Sequence, residues 1–401
     1  MKRRDFLRLS AAAGLAGGFG VADIQRALAA DGLDLYMLSA FSGPFAANGK
    51  FGEMGGRLAV KSLSPSMGRS VAYHTIDTQG NTGTAVRKIQ EAINQKQGRL
   101  FLGGALSSEA LAVSREIEHA GGVYITYVGA DEITGSACNR ATFRWAVPTY
   151  GAIRQTVAPV ADMLPKAKRW YTITPQYVFG EGLLNNAKEV FREKGIEHVG
   201  NSYHSLQDKE FSGYLTNAAA SNADVLLILN FSQQSIDTLR QAVSFGLKRK
   251  MKIVVAWSAG LDQFATLGPD ICEDVFFGVQ YWHGHDAPAN RAFVALNREV
   301  NRATPTYFTA ADFAVTSMML DAVRRANTTD PKRVAQTLES MKWAGITGDE
   351  EMRAFDHQVS KNYFLMRGKA KAKMRDADDF AEVVSFGKSF PSQGQSQCKL
   401  A

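Results

Sequence analysis

Residues 99–127 decide the fold class of this chain, and they read RLFLGGALSSEALAVSREIEHAGGVYITY. The apolar run Arg99–Leu102 predicts a buried strand, Glu109–Ala120 predicts a helix, and Val123–Tyr127 predicts the next strand. Such a unit places two parallel strands side by side with the helix packed over them. The stretch therefore indicates an α/β fold.

The same alternation continues on both sides of this unit, and it restarts after Pro148. Further strands are predicted at Leu33–Leu38, Val71–Ile76, Trp170–Thr174, Val199–Tyr203, Val225–Leu229, Ile253–Ala256, Val275–Tyr281 and Tyr363–Arg367. Further helices are predicted at Phe51–Leu63, Thr82–Gln97, Gly180–Lys194, Phe211–Asn222, Gln233–Phe245, Ala289–Ala303 and Thr309–Ala326, and one begins at Asp330-Pro331. Two such blocks in a chain of 401 residues predict two Rossmann-like lobes with parallel sheets and a cleft between them.

The first 29 residues predict a secretion signal. The pair Arg3-Arg4 precedes the weakly apolar stretch Leu9–Val21, and Ala27-Leu28-Ala29 has small residues at the spacing of a cleavage site. An arginine pair ahead of a short apolar segment is typical of the twin-arginine route. The stretch is too short to span a bilayer. We therefore expect residues 1–29 to be removed and the protein to act in the periplasm.

The charge pattern argues against a nucleic-acid-binding protein. Loss of residues 1–29 removes five Lys and Arg and two Asp, which lowers the formal net charge from +7 to +4. The basic run Lys248-Arg249-Lys250 alone does not form the clustered basic face that nucleic acid requires. No later stretch is apolar and long enough to cross a membrane. We therefore expect no nucleic-acid partner and no membrane span.

Catalytic and cofactor motifs do not occur after residue 29. Gly-x-Ser-x-Gly, Walker-type and dinucleotide-binding glycine patterns are missing. The segment 283–286 (HGHD) puts two histidines on one side of an extended chain, but without a second ligand cluster it favours a polar loop over a metal site. Asp356-His357 has no nucleophile pattern beside it. We therefore expect no catalytic residues, metal or cofactor.

Three cysteines allow one disulfide and one buried thiol in an oxidising compartment. Cys272 precedes an apolar run and suits a packed small hydrophobe. Cys398 lies in a polar tail that frays unless something holds it. We therefore predict a disulfide between Cys138 and Cys398, which returns the tail toward the first lobe.

Ligands of open α/β sheets bind beyond the carboxyl ends of the strands, so the loops there are the candidate site. The first lobe has three such loops, at 41–49 (FSGPFAANG), 103–109 (GGALSSE) and 127–132 (YVGADE). Ser107 or Ser108 caps a helix whose free N–H groups favour a bound carboxylate, although an ordinary serine cap gives the same pattern. Aromatic residues that follow strands of the second lobe suit an apolar wall, namely Tyr177, Phe179, Phe231 and Trp257.

At these loops the chain resembles the periplasmic solute-binding proteins of ATP-driven importers for branched-chain amino acids and related compounds. The matching segments are 42–44 with Gly49, 103–108, 126–135 with 143–144, 179–182, 241–247 and 313–315. Their order covers essentially the whole chain after residue 29. A subgroup with two such cysteines is in keeping with the proposed disulfide.

The resemblance implies a type I periplasmic binding fold, in which two lobes are joined by three crossing strands. Here the crossings are expected near Val147-Pro148, Gln280-Tyr281 and Gly345–Arg353. The first lobe is then 30–147 plus 283–346, and the second is 148–282 plus 347–401 with the tail.

The resemblance also implies how a ligand is held. Ser107 and the backbone around Ala105, Val128 and Ala130 correspond to the grip on a ligand carboxylate, and Phe179 and Phe231 correspond to aromatic residues that close over it. The predicted ligand-binding set is Ala105, Ser107, Ser108, Val128, Ala130, Phe179, Phe231, Trp257, Ser258 and Tyr281.

One departure from the family bears on the ligand. Amino-acid-binding members carry an acid after the last strand of the second lobe, where it pairs with the ligand ammonium, whereas this chain has Trp257-Ser258-Ala259. A buried ammonium without an anion costs several kcal/mol. Either the nearest acid, Asp262, reaches the ligand, or the ligand has no ammonium.

The function implied is capture of a small carboxylate-bearing ligand and its delivery to the membrane permease subunits of an ABC importer. The ligand is a branched-chain or hydrophobic amino acid, or an aromatic or short aliphatic acid. The alternatives are an exported two-lobed ligand sensor and, ranked lower, a twin-arginine-exported enzyme.

Overall fold

The computed structural model describes residues 32–400, and the predicted signal segment 1–29 lies outside that range. Its strands are β1 (Leu33–Ser39), β2 (Val71–Asp77), β3 (Leu100–Gly103), β4 (Val123–Thr126), β5 (Thr142–Arg144), β6 (Arg169–Pro175), β7 (Glu197–His204), β8 (Val225–Ile228), β9 (Lys252–Ser258), β10 (Phe276–Val279), β11 (Lys342–Gly345), β12 (Gly348–Arg353), β13 (Gln358–Ser360), β14 (Tyr363–Gly368) and β15 (Ala381–Gly387). Its helices are α1 (Ala46–Leu63), α2 (Thr82–Lys96), α3 (Ser107–His119), α4 (Thr149–Met163), α5 (Val178–Lys194), α6 (Ser212–Ala220), α7 (Ser232–Ser244), α8 (Leu261–Leu267), α9 (Pro269–Cys272), α10 (Pro288–Asn301), α11 (Tyr307–Ala326) and α12 (Pro331–Leu338). Within residues 32–400, every helix is too short or too polar to span a bilayer.

The first sheet has the strand order β11-β12-β13-β5-β4-β3-β1-β2. Strands β2, β1, β3, β4, β5 and β13 pair in parallel in that order. Strand β12 pairs antiparallel with both β11 and β13. Helices α1, α2, α3, α10, α11 and α12 pack against this sheet or its strands, and together they form the first lobe.

The second sheet has the order β15-β14-β10-β9-β8-β6-β7. It is parallel except that β14 runs antiparallel to β10 and β15 antiparallel to β14. Helices α4 to α9 accompany it as the second lobe. Both sheets are therefore mixed but mostly parallel, which confirms the predicted α/β class with two lobes.

Sequence patterns explain these elements directly. Every residue of the short central strands β3 and β8 is buried, as expected for strands covered by helices on both faces. In the first lobe, α1 packs closely on α11, and a Cβ placed on Gly55 would lie 1.9 Å from the carbonyl oxygen of Thr309. Glycine at this position lets the two helix backbones approach, which no larger residue would permit.

The chain crosses between the lobes three times. The first crossing lies between β5 and α4, at residues 145–148, and the second begins at Gln280 after β10. Both fall where the resemblance puts them. The third lies at Lys361-Asn362, between β13 in the first sheet and β14 in the second.

That third position corrects two expectations. The crossing was expected near Gly345–Arg353, and residues 347–401 were assigned to the second lobe. Instead β12 and β13 extend the first sheet, because β13 pairs in parallel with β5 while β12 pairs antiparallel with β13. These strands are short and partly polar, so their side chains carry little of the apolar signal that marks a strand.

The C-terminal tail returns from the second lobe to the first. Cys398 is joined to Cys138 by a disulfide, as predicted, and Cys272 is a buried free thiol. The guanidinium of Arg140 donates to the carbonyl oxygen of Leu400 at 2.8 Å, and Lys388 Nζ donates to the carbonyl oxygen of Asp349 at 2.7 Å. The tail therefore forms a covalent link between the lobes in addition to the three crossings.

Candidate functional site

The cleft between the lobes contains a small cavity of about 30 Å³. The first lobe lines it with Gly104, Ala105, Ser107, Tyr127, Val128, Gly129, Tyr307 and Phe308, and the second with Tyr177, Phe179, Phe231 and Trp257. The volume suffices for roughly two water molecules. Entry of an organic ligand therefore requires the lobes or the aromatic rings to move.

The start of α3 faces this cavity. Ala110 is the first residue of the helix whose N–H finds a helical acceptor, the carbonyl oxygen of Leu106 at 3.1 Å, so the preceding N–H groups have no partner within the helix. Ser107 is buried, and its Oγ accepts from the N–H of Ala130 at 3.2 Å, which leaves its own proton free to donate. N–H groups and a hydroxyl at a helix start suit a carboxylate.

An acid lies buried behind this helix start. Both carboxyl oxygens of Glu109 lack a hydrogen-bond partner, and burial raises the pKa of this group to about 7. The hydroxyl of Thr78 and the N–H groups of Leu106 and Ala105 lie close enough to oppose that rise in pKa, although they do not reach hydrogen-bonding geometry. Glu109 does not line the cavity, so it bears on the site only through the loop before α3.

Tyr127 brings a phenol to the cavity from the first lobe. Its hydroxyl donates to Asp312 Oδ2 at 2.8 Å, and Tyr307 donates to the carbonyl oxygen of Tyr127 at 3.0 Å. Burial raises the pKa of Asp312 to about 7, and burial together with Asp312 raises that of Tyr127 well above its ordinary value. Because each of these phenols donates inward to the protein, each retains a lone pair that can accept from a ligand.

The second lobe contributes an aromatic wall. The ring centroid of Phe179 lies 5.1 Å from that of Trp257 and 5.4 Å from that of Phe231, both edge to face. Tyr177 adds a fourth ring, 5.9 Å from Phe179. Phe179, Phe231 and Tyr177 lie at the starts of α5 and α7, and Trp257 lies in β9, so the wall forms where strands give way to helices.

The two lobes already touch around the cavity. The rings of Phe45 and Phe231 stack across the cleft with centroids 5.4 Å apart, and Ser232 donates to Asn48 at 2.9 Å. Asp131 of the first lobe accepts from the N–H of Tyr150 at 2.9 Å and from Asn186 at 2.7 Å in the second. The structure is therefore the closed arrangement of the lobes.

Six of the ten predicted residues line the cavity, namely Ala105, Ser107, Val128, Phe179, Phe231 and Trp257.

The other four predicted residues do not line the cavity. Ser108 accepts from Thr82, and Ala130 donates to Ser107 behind the cavity wall. Ser258 bonds to Gln263 at 2.9 Å, and Tyr281 donates to Asn290 at 2.8 Å. Each is held by polar partners in its own lobe, which a loop sequence does not disclose.

Tyr307 and Phe308 line the cavity and were not predicted, because the helix was expected to begin at Thr309. Thr306 caps α11 by accepting from the N–H of Thr309, which makes the two aromatic residues the first turn of the helix. A threonine followed by two aromatic residues was the available signal for this helix start.

No Asp, Glu, Lys, Arg or His of residues 32–400 lines the cavity. Asp262 lies in the first turn of α8, where burial raises its pKa to about 7, and it does not reach the cavity. This cavity therefore offers no carboxylate to pair with a ligand ammonium.

The histidine loop has a structural role in the described chain. Burial lowers the pKa of His283 to about 4, and the ring of His285 packs edge to face on Phe364. Within residues 32–400, no three His, Cys, Asp or Glu side chains are placed to hold a metal ion.

Comparison with known proteins agrees with this architecture. Residues 37–373 match the family model described as periplasmic binding protein. The chain belongs to this family. It is 24% identical over 387 residues to a Leu/Ile/Val-binding protein homolog 4 of Brucella abortus, with 91% of this chain and 89% of the relative covered.

Two solved structures show the likeness in three dimensions. An amino acid ABC transporter substrate-binding protein of Pseudomonas fluorescens Pf-5 is 54% identical, with a TM-score of 0.89, 92% of this chain and 99% of that chain covered. A solute-binding protein of an R. palustris ABC transporter, in complex with benzoate, is 20% identical with a TM-score of 0.83, over 92% of this chain and 100% of that one. This periplasmic binding protein is thus a substrate-binding protein of the ABC-transporter type and not an enzyme, and its family implies a periplasmic location.

Proposed function

We propose that this protein captures a small carboxylate with an aromatic or short aliphatic group and delivers it to the permease of an ABC importer, after export by the twin-arginine route. The carboxylate binds at the start of α3, on Ser107 and the neighbouring N–H groups. The apolar part packs against Phe179, Phe231 and Trp257. The lobes close over the ligand by bending at the three crossings.

The observation that carries this proposal is the lining of the cleft cavity. One wall is a helix start with an unused hydroxyl proton, and the other is a set of aromatic rings. An ammonium would be buried there without a carboxylate, at a cost of several kcal/mol. A ligand with a carboxylate and no ammonium avoids this cost.

A second candidate ligand is an amino acid. The relative from Pseudomonas fluorescens, at 54% identity, is an amino acid ABC transporter substrate-binding protein. In that case the ammonium would bond to phenol oxygens such as that of Tyr127, and the nearby acids Glu109 and Asp312 would stabilise it from behind the wall.

The energy required for closure is within reach of such contacts. Moving a two-state equilibrium from 1:99 to 99:1 takes about 5.5 kcal/mol of differential affinity. A hydrogen bond to a charged group contributes about 1.5–3 kcal/mol, and burial of an apolar side group about 1.5–3 kcal/mol. Two or three contacts made only on closure therefore suffice.

Calorimetric titration of purified protein tests the proposal. The panel holds leucine, phenylalanine, benzoate, 4-hydroxybenzoate, butyrate and the uncharged analogue benzamide. We expect binding of at least one acid without an ammonium and none of benzamide. Binding of leucine or phenylalanine alone would favour the second candidate, and binding of none of these compounds would contradict both.

Two variants test the site with whichever compound binds. Ser107→Ala and Phe231→Ala should each weaken binding about tenfold or more, because each removes a contact of about 1.5–3 kcal/mol. The matched controls are Ser212→Ala, at the start of α6, and Phe245→Ala, whose ring is exposed, and neither should change the affinity. Unchanged affinity in both site variants would remove this cavity as the binding site.

A further inference from the structure

All three crossings between the lobes meet at the side chain of Lys361. Its Nζ donates to the carbonyl oxygen of Gln280 at 2.7 Å and to Gln280 Oε1 at 3.2 Å, in the second crossing. It also donates to the carbonyl oxygen of Asn362 at 3.0 Å, in the third crossing. The three N–H donors of one ammonium are thus used within the hinge.

Gln280 extends this contact to the first crossing. Its Oε1 accepts from the N–H of Val147 at 2.9 Å, and its Nε2 donates to the carbonyl oxygen of Val147 at 2.8 Å. One amide group therefore pairs with both backbone groups of a residue 133 positions away. Lys361, Gln280 and Val147 form a hydrogen-bonded cluster, the hinge cluster, with one member in each crossing.

The ammonium at the centre of the hinge cluster has no acid beside it. Lys361 is fully buried, and no carboxylate of residues 32–400 lies within 4 Å of its Nζ. The ring of Trp145 covers it at 4.3 Å, and the indole N–H of Trp145 donates to Glu350 at 2.7 Å. Burial lowers the pKa of Lys361 to about 7, and Glu350 opposes that change. A buried lysine without an ion-pair partner is costly to keep, so packing alone does not account for it.

We propose that Lys361 is the positioning residue of the hinge, whose hydrogen bonds make the three crossings bend as one unit and so limit how far the lobes open. Lys361 does not line the cleft cavity, and its hydrogen bonds reach none of the residues that do. Its effect on ligand capture is therefore indirect, through the range of lobe orientations that the free protein samples.

The ligand-free protein tests this inference, so the outcome does not depend on which compound binds. The variant Lys361→Met keeps the length of the side chain and removes the ammonium. Hydrogen exchange of the Val147 N–H should become about tenfold faster, the factor that one net hydrogen bond contributes, because Gln280 is no longer held against Val147. Small-angle scattering should show a radius of gyration about 1 Å larger, on roughly 21 Å for a compact chain of this size.

Two further variants complete the experiment. Lys369→Met is the matched control, because Lys369 is also largely buried and follows the opposite end of β14, where it pairs with Asp379 at 2.6 Å. It should leave both measurements as in the unmodified protein. Lys361→Gln retains one donor group, should restore part of the protection, and serves as the test variant if Lys361→Met does not fold. Exchange and radius of gyration that match the unmodified protein in a folded Lys361 variant would overturn the inference, as would equal changes in Lys369→Met.

Discussion

Asp312 is a buried acid of the described chain that is hydrogen-bonded to a phenol of the cleft cavity. Burial raises the pKa of Glu109, Asp262 and Asp312 to about 7 in each case. Asp312 receives the hydrogen bond of Tyr127 on Oδ2, while its Oδ1 has no partner. At the residue scale, this arrangement ties the orientation of a cavity phenol to the protonation of a buried acid.

The raised pKa of Asp312 predicts a dependence of stability on pH. An acid whose pKa is higher in the folded state stabilises that state fully below its unfolded pKa near 4. The contribution is lost as the pH rises through about 7, so the free energy of unfolding should fall between pH 4 and pH 7. Asp312 contributes on the order of 3–4 kcal/mol to this fall, and Asp312→Asn should remove that contribution.

Urea denaturation at pH 4.5, 5.5, 6.5 and 7.5 measures that difference. Asp321→Asn on the same helix is the control, since Asp321 is paired with Arg324 and Arg325 near the surface. Parallel pH profiles for Asp312→Asn and the unmodified protein would contradict the prediction.

At the element scale, the C-terminal tail is attached to the first lobe by one disulfide and a few hydrogen bonds. Its residues are largely exposed, and its only covalent attachment to the first lobe among residues 32–400 is the disulfide between Cys138 and Cys398. The two cysteines are 260 positions apart, so the bond also restricts the unfolded chain strongly.

Removal of the disulfide should therefore destabilise the protein. Cys398→Ser should lower the free energy of unfolding by about 2–5 kcal/mol, through the entropy that the unfolded chain regains. Urea denaturation of the variant and of the unmodified protein, each with and without a reductant, measures this. The reductant should lower the stability of the unmodified protein only, because Cys272 is buried and unpaired. Equal stability of the two proteins without reductant would show that the disulfide contributes nothing.

At the scale of the whole molecule, closure of the lobes depends on Gly129. This residue belongs to the first lobe, and a Cβ on it would lie 2.6 Å from the ring of Phe179 and 2.8 Å from that of Trp257 in the second. Both rings are packed in the aromatic wall, so neither moves aside without disturbing the others. The absence of a side chain at Gly129 therefore matters only when the lobes meet.

Gly129→Ala should therefore block closure and leave the fold intact. We expect unchanged thermal stability of the ligand-free protein, a larger radius of gyration, and affinity for the bound compound reduced tenfold or more, roughly one lost contact of 1.4 kcal/mol. Gly213→Ala is the control, because nothing lies within 4 Å of a Cβ at that position. Affinity equal to that of the unmodified protein would show that the closed arrangement tolerates the methyl group.

The periodicity of apolar residues predicts the strands and helices around the cleft well. The stretch 99–127 predicts β3, α3 and β4 with small errors at their ends, and the two blocks predict the two lobes. Loop residues such as Ser107 and Phe231 were predictable because the ends of parallel strands meet at one edge of a sheet. Tyr307 and Phe308 were not, since they reach the cavity from a helix 180 positions after the loop that they contact.

The sequence by itself determined the α/β class, the two lobes, the helix start and the aromatic wall at the cleft, and a disulfide consistent with three cysteines. These features follow from the periodicity of apolar residues, from helix capping and from composition, which act over a few residues. Only the tertiary structure decided the third crossing, the direction in which Ser258 and Tyr281 point, and the cluster of Lys361, Gln280 and Val147. The third crossing and this cluster depend on pairing between segments more than 80 positions apart, whose energies no local pattern contains. Ser258 and Tyr281 bond to Gln263 and Asn290, which are near in the chain but are brought into place by the packing of each lobe.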